Sequence, residues 1–401
     1  MLHKSSSAST RILISFAESL SAPEVLWSLL ESGFSVSAIT RKGTRPPLRS
    51  CKKVEILEIT APESDAQQAV DDLKLYLDTG RFAAILPLDD ASVWMCDQVY
   101  QGTGFTVVGP IGNCAELALN KNKQVAAALE AGMSVPRTRL VYTAEEIMSL
   151  DAFPLILKPA MSVTLRSGKL QKGRFYICDN PDELRESIKL WNGEPLLAQP
   201  LLLGTGEGVF GLATKDGVRG WSAHRRIRMM NPAGSGSSAC TGIAVDEALC
   251  DAIEAMLLKV GWQGIFMIEF LRDKSGKAWF MELNGRSWGS VALARRMGFE
   301  YPAWAVQQVL NEEFIVPEVT ARPPVLCRHL GYEILHMLMV LRGPKSNALT
   351  EWPSRWKTLC ELLHFRRTDR WYNWRRGEAR LFVHETYRTI TQAITRWGKS
   401  L

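Results

Sequence analysis

Two apolar stretches that flank the turn sequence DKSG place strong constraints on the fold of this 401-residue chain. The first, IFMIEFL, spans residues 265–271, and the second, KAWFMELNGR, spans residues 277–286. Both have the length and the aromatic and branched residues of buried strands, so the sequence predicts an antiparallel β-hairpin around DKSG. The chain must therefore contain a sheet with at least one buried face.

The second stretch has polar residues at alternate positions, Glu282, Asn284 and Arg286. Alternate side chains lie on one face of a strand, where burying polar groups is costly unless they bind something. With a four-residue turn, Glu269 is predicted to lie opposite Phe280 and diagonal to Glu282, about 7–8 Å away. Two carboxylates and an amide oxygen predict a Mg²⁺ site. The alternative is a hairpin stabilised only by ion pairs with the arginine.

The N-terminal part alternates apolar strands with helical segments. Residues 11–17, 34–40 and 81–90 have strand patterns, and residues 22–33 have a helical pattern that ends at a glycine. This alternation is typical of a parallel α/β unit. The first strand–helix turn, SFAESLSAPE, contains no glycine, so a dinucleotide site of the GxGxxG type is not expected.

The middle of the chain mixes helices and strands. Residues 118–132 are predicted to be helical, residues 151–160 to form a buried strand, and Asn180 to cap a further helix. The glycine- and serine-rich segment 231–242 is predicted to be a loop. Lys158 ends the apolar strand directly before a proline, where an unpaired charge is costly, so it is predicted to meet a phosphate.

Several short motifs follow one another in the order seen in a known group of enzymes. They are VVGP at 107–110, NK at 120–121 with GMSVP downstream, FPLILKP at 153–159, AQPLLLG at 198–204, and IEF followed by MELNGR. From residue 11 to about residue 310 the sequence resembles the ATP-grasp superfamily on these motifs. Such enzymes clamp ATP between two α+β lobes, usually behind an N-terminal parallel α/β domain.

The resemblance implies a fold that is α/β and α+β, in three parts. Residues 1–113 would form the N-terminal pre-ATP-grasp α/β domain. Residues 114–317 would form the ATP-grasp domain, with a small lobe at about 114–195 and a large lobe at about 196–317. Residues 318–401 would form a basic, mostly helical C-terminal extension.

The resemblance also implies site residues at the phosphates. Lys121, eleven residues before the glycine of GMSVP, matches the first ATP lysine, and Lys158 matches the second. Arg286 matches the arginine that meets the transferred phosphoryl group. The metal ligands match Glu269, Glu282 and Asn284, which would hold two Mg²⁺ ions, with Mn²⁺ as a substitute.

The remaining implied contacts concern the nucleoside and the substrates. Gln199 and Leu202 lie in the adenine hinge, and Glu207 is a candidate ribose contact. Arg226 is the expected partner of a substrate carboxylate, because a guanidinium binds a carboxylate through two hydrogen bonds. Cys240 is not expected to be a nucleophile, since no histidine pairs with it in the sequence.

The lid that follows the second lysine departs from the family pattern. Many members have a glycine-rich lid whose backbone amides cover the phosphates. Here the segment AMSVTLRSGKLQKGR has only two glycines. Arg166, Lys169 and Lys172 are candidates to replace those amides with charged side chains.

These features predict an ATP-dependent carboxylate–amine ligase. ATP would phosphorylate a small-molecule carboxylate, and an amine would displace phosphate to form an amide, releasing ADP and phosphate. The alternatives are an ATP-grasp enzyme with another acceptor, such as an acid–thiol ligase or a carboxylase, and a nucleotide-binding module without activity. ADP release that depends on two compounds would distinguish ligation from mere binding.

The C-terminal sixty residues contain all of the positive excess, with 13 Lys and Arg against 5 Asp and Glu in residues 342–401. An apolar stripe at helical spacing runs along the last segment through Val383, Tyr387, Ile390, Ile394 and Trp397. Three interpretations are open: the stripe packs on the body of the protein, it meets an anionic partner or membrane surface, or it forms a homodimer contact. No nucleic-acid partner is expected.

The cysteine pattern and the apolar runs predict a cytoplasmic protein. Eight cysteines show no CxxC spacing, which favours a reduced compartment. The longest apolar run, ILHMLMVL at 334–341, has the length of a buried helix, and the polar N-terminus does not resemble a signal peptide.

Overall fold

The N-terminal segment forms a parallel sheet covered by helices. The computed structural model describes residues 9–320, 322–344 and 352–398. Four strands lie in the order β3-β2-β1-β4, and all their pairings are parallel. The elements are β1 (Arg11–Ser15), α1 (Ala22–Glu31), β2 (Ser35–Arg41), β3 (Val54–Ile59), α2 (Ala66–Leu77), β4 (Ala84–Pro87), α3 (Asp90–Thr103) and α4 (Asn113–Leu119). The predicted α/β alternation is confirmed.

A second, antiparallel sheet has the order β5-β10-β6-β9. Asn180 caps helix α7 as predicted, because its side chain accepts hydrogen bonds from the amides of Asp182 and Glu183. The elements are α5 (Lys121–Glu130), β5 (Arg139–Val141), α6 (Ala144–Met148), β6 (Leu155–Pro159), β9 (Tyr176–Cys178), α7 (Pro181–Lys189) and β10 (Leu196–Pro200).

A small hairpin, β7 (Thr164–Arg166) and β8 (Lys169–Gln171), extends from this sheet at the position of the predicted lid. Its tip contacts the N-terminal domain, because the carbonyl of Gly168 accepts a hydrogen bond from Ala66 and the amide of Leu170 donates to Pro62. The hairpin therefore bridges the second sheet and the N-terminal domain.

The third sheet has seven strands in the order β15-β14-β11-β12-β13-β16-β17. All pairings are antiparallel except the last one. The elements are β11 (Thr205–Thr214), β12 (Gly217–Asn231), β13 (Ser235–Ile243), α8 (Glu247–Lys259), β14 (Gly264–Arg272), β15 (Ala278–Asn284), α9 (Val291–Arg296), α10 (Tyr301–Leu310), β16 (Leu326–Arg328) and β17 (Arg370–Trp371).

The glycine- and serine-rich segment is a strand, so the predicted loop at 231–242 is wrong. β13 pairs with β12 on one side and with β16 on the other, and only a short turn at 232–234 separates β12 from β13. Pairing on both edges satisfies the backbone of a segment whose own strand propensity is low. Ser238 and Ala239 are fully buried there, where small side chains fit.

The register of the predicted hairpin also differs from the expectation. Glu269 lies directly opposite Glu282, whereas Phe270 lies opposite Phe280, because a β-bulge falls between residues 269 and 270. The turn is five residues long, since the amide of Asp273 donates to the carbonyl of Lys277. The bulge brings the two carboxylates closer together than the predicted diagonal arrangement.

The C-terminal extension contains α11 (Leu330–Arg342), α12 (Arg355–Leu363) and α13 (Ala379–Gly398). Of the three interpretations of the α13 stripe, packing on the body is contradicted by Val383, Tyr387 and Ile394, which are 64%, 67% and 53% exposed, although Ile390 is half-buried. The helix packs through another face, on which Leu381 is buried and Glu385 contacts His329 at 2.7 Å. The side chain of Trp397 lies outside the described residues.

Two buried ion-pair networks attach the extension to the rest of the protein. Glu333 on α11 contacts Arg228 at 2.6 Å and Arg328 at 2.9 Å. Glu24 on α1 contacts Arg296 at 2.7 Å and accepts a hydrogen bond from the amide of Asn373. No helix among the described residues is long and apolar enough to cross a membrane.

Candidate active site

A cavity of about 850 Å³ lies between the N-terminal domain, the second sheet and one face of the third sheet. Loops that follow β1 and β4 form one wall, β6 and β10 form another, and β11, β12, β14 and β15 form the floor. Nine of the ten predicted site residues line this cavity: Lys121, Lys158, Gln199, Leu202, Arg226, Glu269, Glu282, Asn284 and Arg286.

Glu207 is the predicted residue that does not line the cavity. Its side chain is buried, and its carboxylate accepts hydrogen bonds from Arg225 at 2.9 Å and Arg272 at 2.7 Å. Neighbouring residues of a strand face opposite sides, so Glu207 lies on the other face of β11 from Gly206. The structure gives this carboxylate an ion-pairing role and does not bring it to the predicted ribose position.

Two glycines of β11 make room for side chains from β12. A Cβ atom at Gly206 would lie 2.8 Å from Cδ of Arg226, and one at Gly208 would lie 2.8 Å from Nε2 of His224. Because β11 separates β12 from β14, Arg226 must cross Gly206 to reach Glu269. Its Nη2 atom lies 2.5 Å from the carboxylate. The TGEG segment thus allows a cation from one strand to pair with a carboxylate two strands away.

Lys121 holds the second carboxylate of the hairpin. Its Nζ atom lies 2.8 Å from Oε2 of Glu282, and the amide of Asn284 lies 3.3 Å from the other oxygen. The lysine charge lowers the pKa of Glu282 to about 2, and Glu282 in turn raises the pKa of Lys121 against the effect of burial. Both groups are therefore charged at neutral pH.

Gln124 positions this end of β15, and sequence analysis did not identify it. Its amide donates to the carbonyls of Leu117, Ala118 and Leu283, each at 3.0 Å, and accepts from the amide of Leu283 at 2.9 Å. A buried glutamine one turn into a helix was the available signal. The contacts hold α5, which begins at Lys121, against the strand that bears the carboxylates.

Lys158 forms no ion pair with any residue that the structure describes. Burial lowers its pKa to about 8, and the neighbouring charge of Lys121 adds to this effect. Three lysines line the cavity: Lys121 and Lys172 each have a carboxylate beside them, whereas Lys158 has no such partner among the described residues. The position suits an anion that enters the cavity.

Arg286 is held by Asp90, an acid that sequence analysis did not select as a site residue. Nε of Arg286 lies 2.9 Å from Asp90, and Nζ of Lys172, from the lid, lies 3.3 Å from the same carboxylate. Burial raises the pKa of Asp90, but the charges of Arg286 and Lys172 lower it well below its usual range. The acidic end of the strand at 81–90 was the only sequence signal for Asp90.

Of the three lid cations considered from the sequence, Lys172 lines the cavity, whereas Arg166 and Lys169 do not.

The hinge side of the cavity is largely apolar. Gln199 and Leu202 lie there with Ile156 and Met281. The side-chain amide of Gln199 donates to the hydroxyl of Thr138 at 2.8 Å, which fixes its orientation. This wall suits a flat, weakly polar group such as a purine base.

His224 and Cys240 are both buried. Burial, and then the charge of Arg226, lower the pKa of His224 to about 3, so the imidazole is neutral, and Nδ1 lies 3.0 Å from Ser290 Oγ. Burial raises the pKa of Cys240 to about 12, and this thiol does not line the cavity. A neutral thiol in that position is a poor nucleophile.

The facing carboxylates have the chemistry of a magnesium site. Among the described residues, no cluster of three or more His, Cys, Asp or Glu side chains is arranged to hold a metal ion. Glu269 and Glu282 are direct cross-strand partners, however, and Asn284 lies next to them. Two carboxylates and an amide fit Mg²⁺, which fills its other positions with phosphate oxygens and water.

Neither a family model nor a curated protein matches the sequence. Among solved structures, the chain is similar to an L-amino acid ligase from Bacillus licheniformis, with 16% identity, 79% of each chain covered and a TM-score of 0.63. It is also similar to the biotin carboxylase domain of 2-oxoglutarate carboxylase from Hydrogenobacter thermophilus, with 17% identity, 79% and 73% covered and a TM-score of 0.62.

A third similar structure is an ADP complex of N5-carboxyaminoimidazole ribonucleotide synthetase, with 14% identity, 84% and 86% covered and a TM-score of 0.62. At these identities the likeness concerns the fold. The three sheets, their order along the chain and the cavity between them agree with that likeness. The chain has the ATP-grasp fold.

Proposed function

We propose that the protein is an ATP-dependent carboxylate–amine ligase that forms an amide through an acyl phosphate. The observation that carries this proposal is the cavity in which Lys121, Lys158 and Arg286 meet the facing carboxylates Glu269 and Glu282. Cations that bind phosphates beside carboxylates that bind metal are what transfer of a phosphoryl group requires. The similar structures support the nucleotide, since two of them contain ADP and one of these also contains magnesium.

The cations would bind the triphosphate and stabilise the charge that moves during transfer. Lys158, which forms no ion pair with a described residue, would donate to a phosphate oxygen at least cost because no protein ion pair has to break. Arg286, held by Asp90, would face the transferred phosphoryl group. A guanidinium that its partner already orients loses little side-chain freedom when it binds.

Glu269, Glu282 and Asn284 would hold Mg²⁺, which when bound neutralises phosphate charge. In the structure the same carboxylates pair with Arg226 and Lys121. The charge of Lys121 lowers the pKa of Glu282 to about 2, which keeps this ligand deprotonated at neutral pH.

Arg226 would bind the substrate carboxylate or its acyl phosphate. It has five donor N–H groups, and its Nε atom is buried with no hydrogen-bond partner among the described residues. A substrate oxygen would satisfy that donor. A carboxylate is a poor electrophile until it is phosphorylated, and the amine then displaces phosphate. Lys172, which reaches Asp90 from the lid, helps to close the cavity to water.

The test is release of ADP and phosphate with purified protein, ATP and magnesium, over amino acids and related acids and amines singly and in pairs. Ligation predicts release that depends on two compounds together and a new amide in the product mixture. A bicarbonate arm tests the other chemistry among the similar structures, since one of them is a biotin carboxylase domain. Bicarbonate-dependent release would replace ligation with carboxylation. No release with any compound, but binding of an ATP analogue, would leave a nucleotide-binding module.

A further inference from the structure

The C-terminal helix α13 has a packed face and an apolar face turned to solvent. Leu381 is fully buried, and Glu385 pairs with the buried His329 at 2.7 Å. Val383 and Tyr387 lie on the opposite side of the helix, and Ile394 follows two turns later on the same side. Each is more than half exposed. A row of large apolar side chains in solvent is unusual for a protein surface without a partner.

An aromatic row continues this apolar surface beyond the helix. Ring centroids of Phe365 and Trp371 lie 5.1 Å apart, those of Trp371 and Phe382 lie 6.3 Å apart, and those of Trp374 and Phe382 lie 5.3 Å apart. Phe365 and Trp374 are 47% and 45% exposed. Because Phe382 precedes Val383 in α13, the aromatic row joins the stripe.

Exposed arginines lie close to these apolar groups in the sequence. Arg366 and Arg367 follow Phe365, and Arg376 and Arg380 lie between Trp374 and the stripe. None of the four forms an ion pair with a described acid. We call this surface the docking face. It consists of Phe365, Arg366, Arg367, Trp371, Trp374, Arg376, Arg380, Phe382, Val383, Tyr387 and Ile394.

We infer that the docking face binds the surface of a lipid bilayer that contains anionic lipids. Apolar and aromatic side chains enter the boundary between headgroups and acyl chains, while arginines next to them contact lipid phosphates. Each arginine close to an anionic surface contributes about 1 kcal/mol to binding. The net charge of +8 in residues 342–401, from 13 basic and 5 acidic residues, is complementary to such a surface.

Two other partners fit the docking face less well. A symmetric contact with a second copy would bring the same arginines together, and like charges directly opposite one another oppose association. Nucleic-acid interfaces are polar, whereas the stripe on α13 offers aliphatic groups that a phosphate backbone does not use. The bilayer satisfies both the charge and the apolar surface.

Vesicle co-sedimentation tests this inference with the full chain. Vesicles of phosphatidylcholine alone are compared with equimolar phosphatidylcholine and phosphatidylglycerol, at about 0.05 M and about 0.5 M salt. We expect binding to the anionic vesicles at low salt, weaker binding at high salt, and little binding to the neutral vesicles. Arg366→Glu with Arg367→Glu should lower the partition coefficient at least about 30-fold. Val383→Glu with Tyr387→Glu should remove binding, because charged groups would have to enter the bilayer boundary.

Matched variants on other surfaces serve as controls. Lys52→Glu with Lys53→Glu makes the same change in charge at exposed positions before β3, and Leu75→Glu with Leu129→Glu changes exposed leucines of α2 and α5. Both should bind like the unaltered protein. No residue of the docking face lines the cavity, so nucleotide binding should persist in every variant. Equal binding to neutral vesicles, no binding to either kind, or a dimer that the docking-face variants dissociate would each overturn the inference.

Discussion

Lys158 is a charged residue that the surrounding protein leaves without a partner. It forms no ion pair with a described residue, and burial together with Lys121 lowers its pKa to about 8. The folded protein therefore binds this proton less tightly than the unfolded chain does, for which the ordinary lysine pKa applies. This cost is consistent with the proposed function, in which a phosphate compensates the charge of Lys158.

Lys158→Met should stabilise the nucleotide-free protein at pH 7 by roughly 1–3 kcal/mol and should abolish binding of an ATP analogue. The stabilisation should be complete below pH 8 and fade towards pH 10.5, because the unaltered protein itself gains stability as Lys158 loses its proton across that range. Urea unfolding at pH 7 and pH 10, with calorimetry, measures both effects. Lys123→Met, at an exposed lysine paired with Glu116, is the control. Unchanged stability at both pH values would contradict the assigned cost of burial.

Glu282→Gln should lower turnover about 10²–10³-fold and leave the fold intact, because a neutral side chain weakens both the metal site and the hold on Lys121. In the presence of ADP, added magnesium should raise the thermal unfolding temperature of the variant less than that of the unaltered protein. Glu116→Gln changes an exposed glutamate of the same charge and should behave like the unaltered protein. ADP production close to normal at saturating magnesium would exclude Glu282 as a ligand.

At the scale of elements, β11 decides whether the cations of β12 reach the carboxylates of β14 and β15. Gly206 and Gly208 are small where Arg226 and His224 cross the strand. The β-bulge at Glu269 then places its carboxylate opposite Glu282. The floor of the cavity is therefore a product of two strand irregularities, missing side chains in β11 and an extra residue, Met281, in β15.

Gly206→Ala should cost about 1–3 kcal/mol in unfolding free energy, because the added methyl group would lie 2.8 Å from Cδ of Arg226. The displaced guanidinium should raise the KM for the carboxylate substrate more than the Kd of an ATP analogue. Gly102→Ala is the matched control. Gly102 lies within helix α3, and an added Cβ would have its nearest neighbour, Nζ of Lys74, at 3.5 Å. This variant should raise the unfolding free energy by about 0.5–1 kcal/mol. If Gly206→Ala raised the Kd of the ATP analogue as much as the KM for the carboxylate substrate, the assignment of Arg226 to the substrate carboxylate would be wrong.

At the scale of the whole molecule, the C-terminal extension is part of the main sheet. β16 and β17 continue the seven-stranded sheet beyond β13. Tyr372, which follows β17, is buried and lies 2.5 Å from the thiol of Cys240. Glu333 compensates two buried arginines, one from β12 and one from β16. Removing the extension would uncover apolar surface and leave buried charges without partners.

Glu333→Gln should destabilise the protein by about 3–5 kcal/mol, because it leaves Arg228 and Arg328 buried without their shared carboxylate. Glu361→Gln, at a partly exposed residue 3.6 Å from Arg228, should cost less than about 1 kcal/mol. Urea unfolding compares the two variants. Similar stabilities would mean that the network does not hold the extension in place.

The sequence by itself determined much of the order of the elements, and nine of the ten residues predicted for the site line the cavity. Helix caps, apolar strands and short turns are local signals, so the parallel N-terminal sheet and the cap at Asn180 were predictable. Lys158 and Glu282 stand out because charges in apolar strands are costly without a ligand. Each of these signals can be recognised from residues that are close together in the sequence.

Only the tertiary structure decided what depends on contacts between distant segments. The pairing of Glu269 with Glu282 needed a bulge, and β13 became a strand through its two neighbours. Glu207 was drawn into ion pairs on the far face of its strand. The α13 stripe has the same helical spacing whichever face of the helix is buried. The contacts of Leu381 and Glu385 place the opposite face on the protein, so the stripe faces solvent. Periodicity shows that a helix has two unlike faces, but which face is buried is set by the surface on which the helix packs.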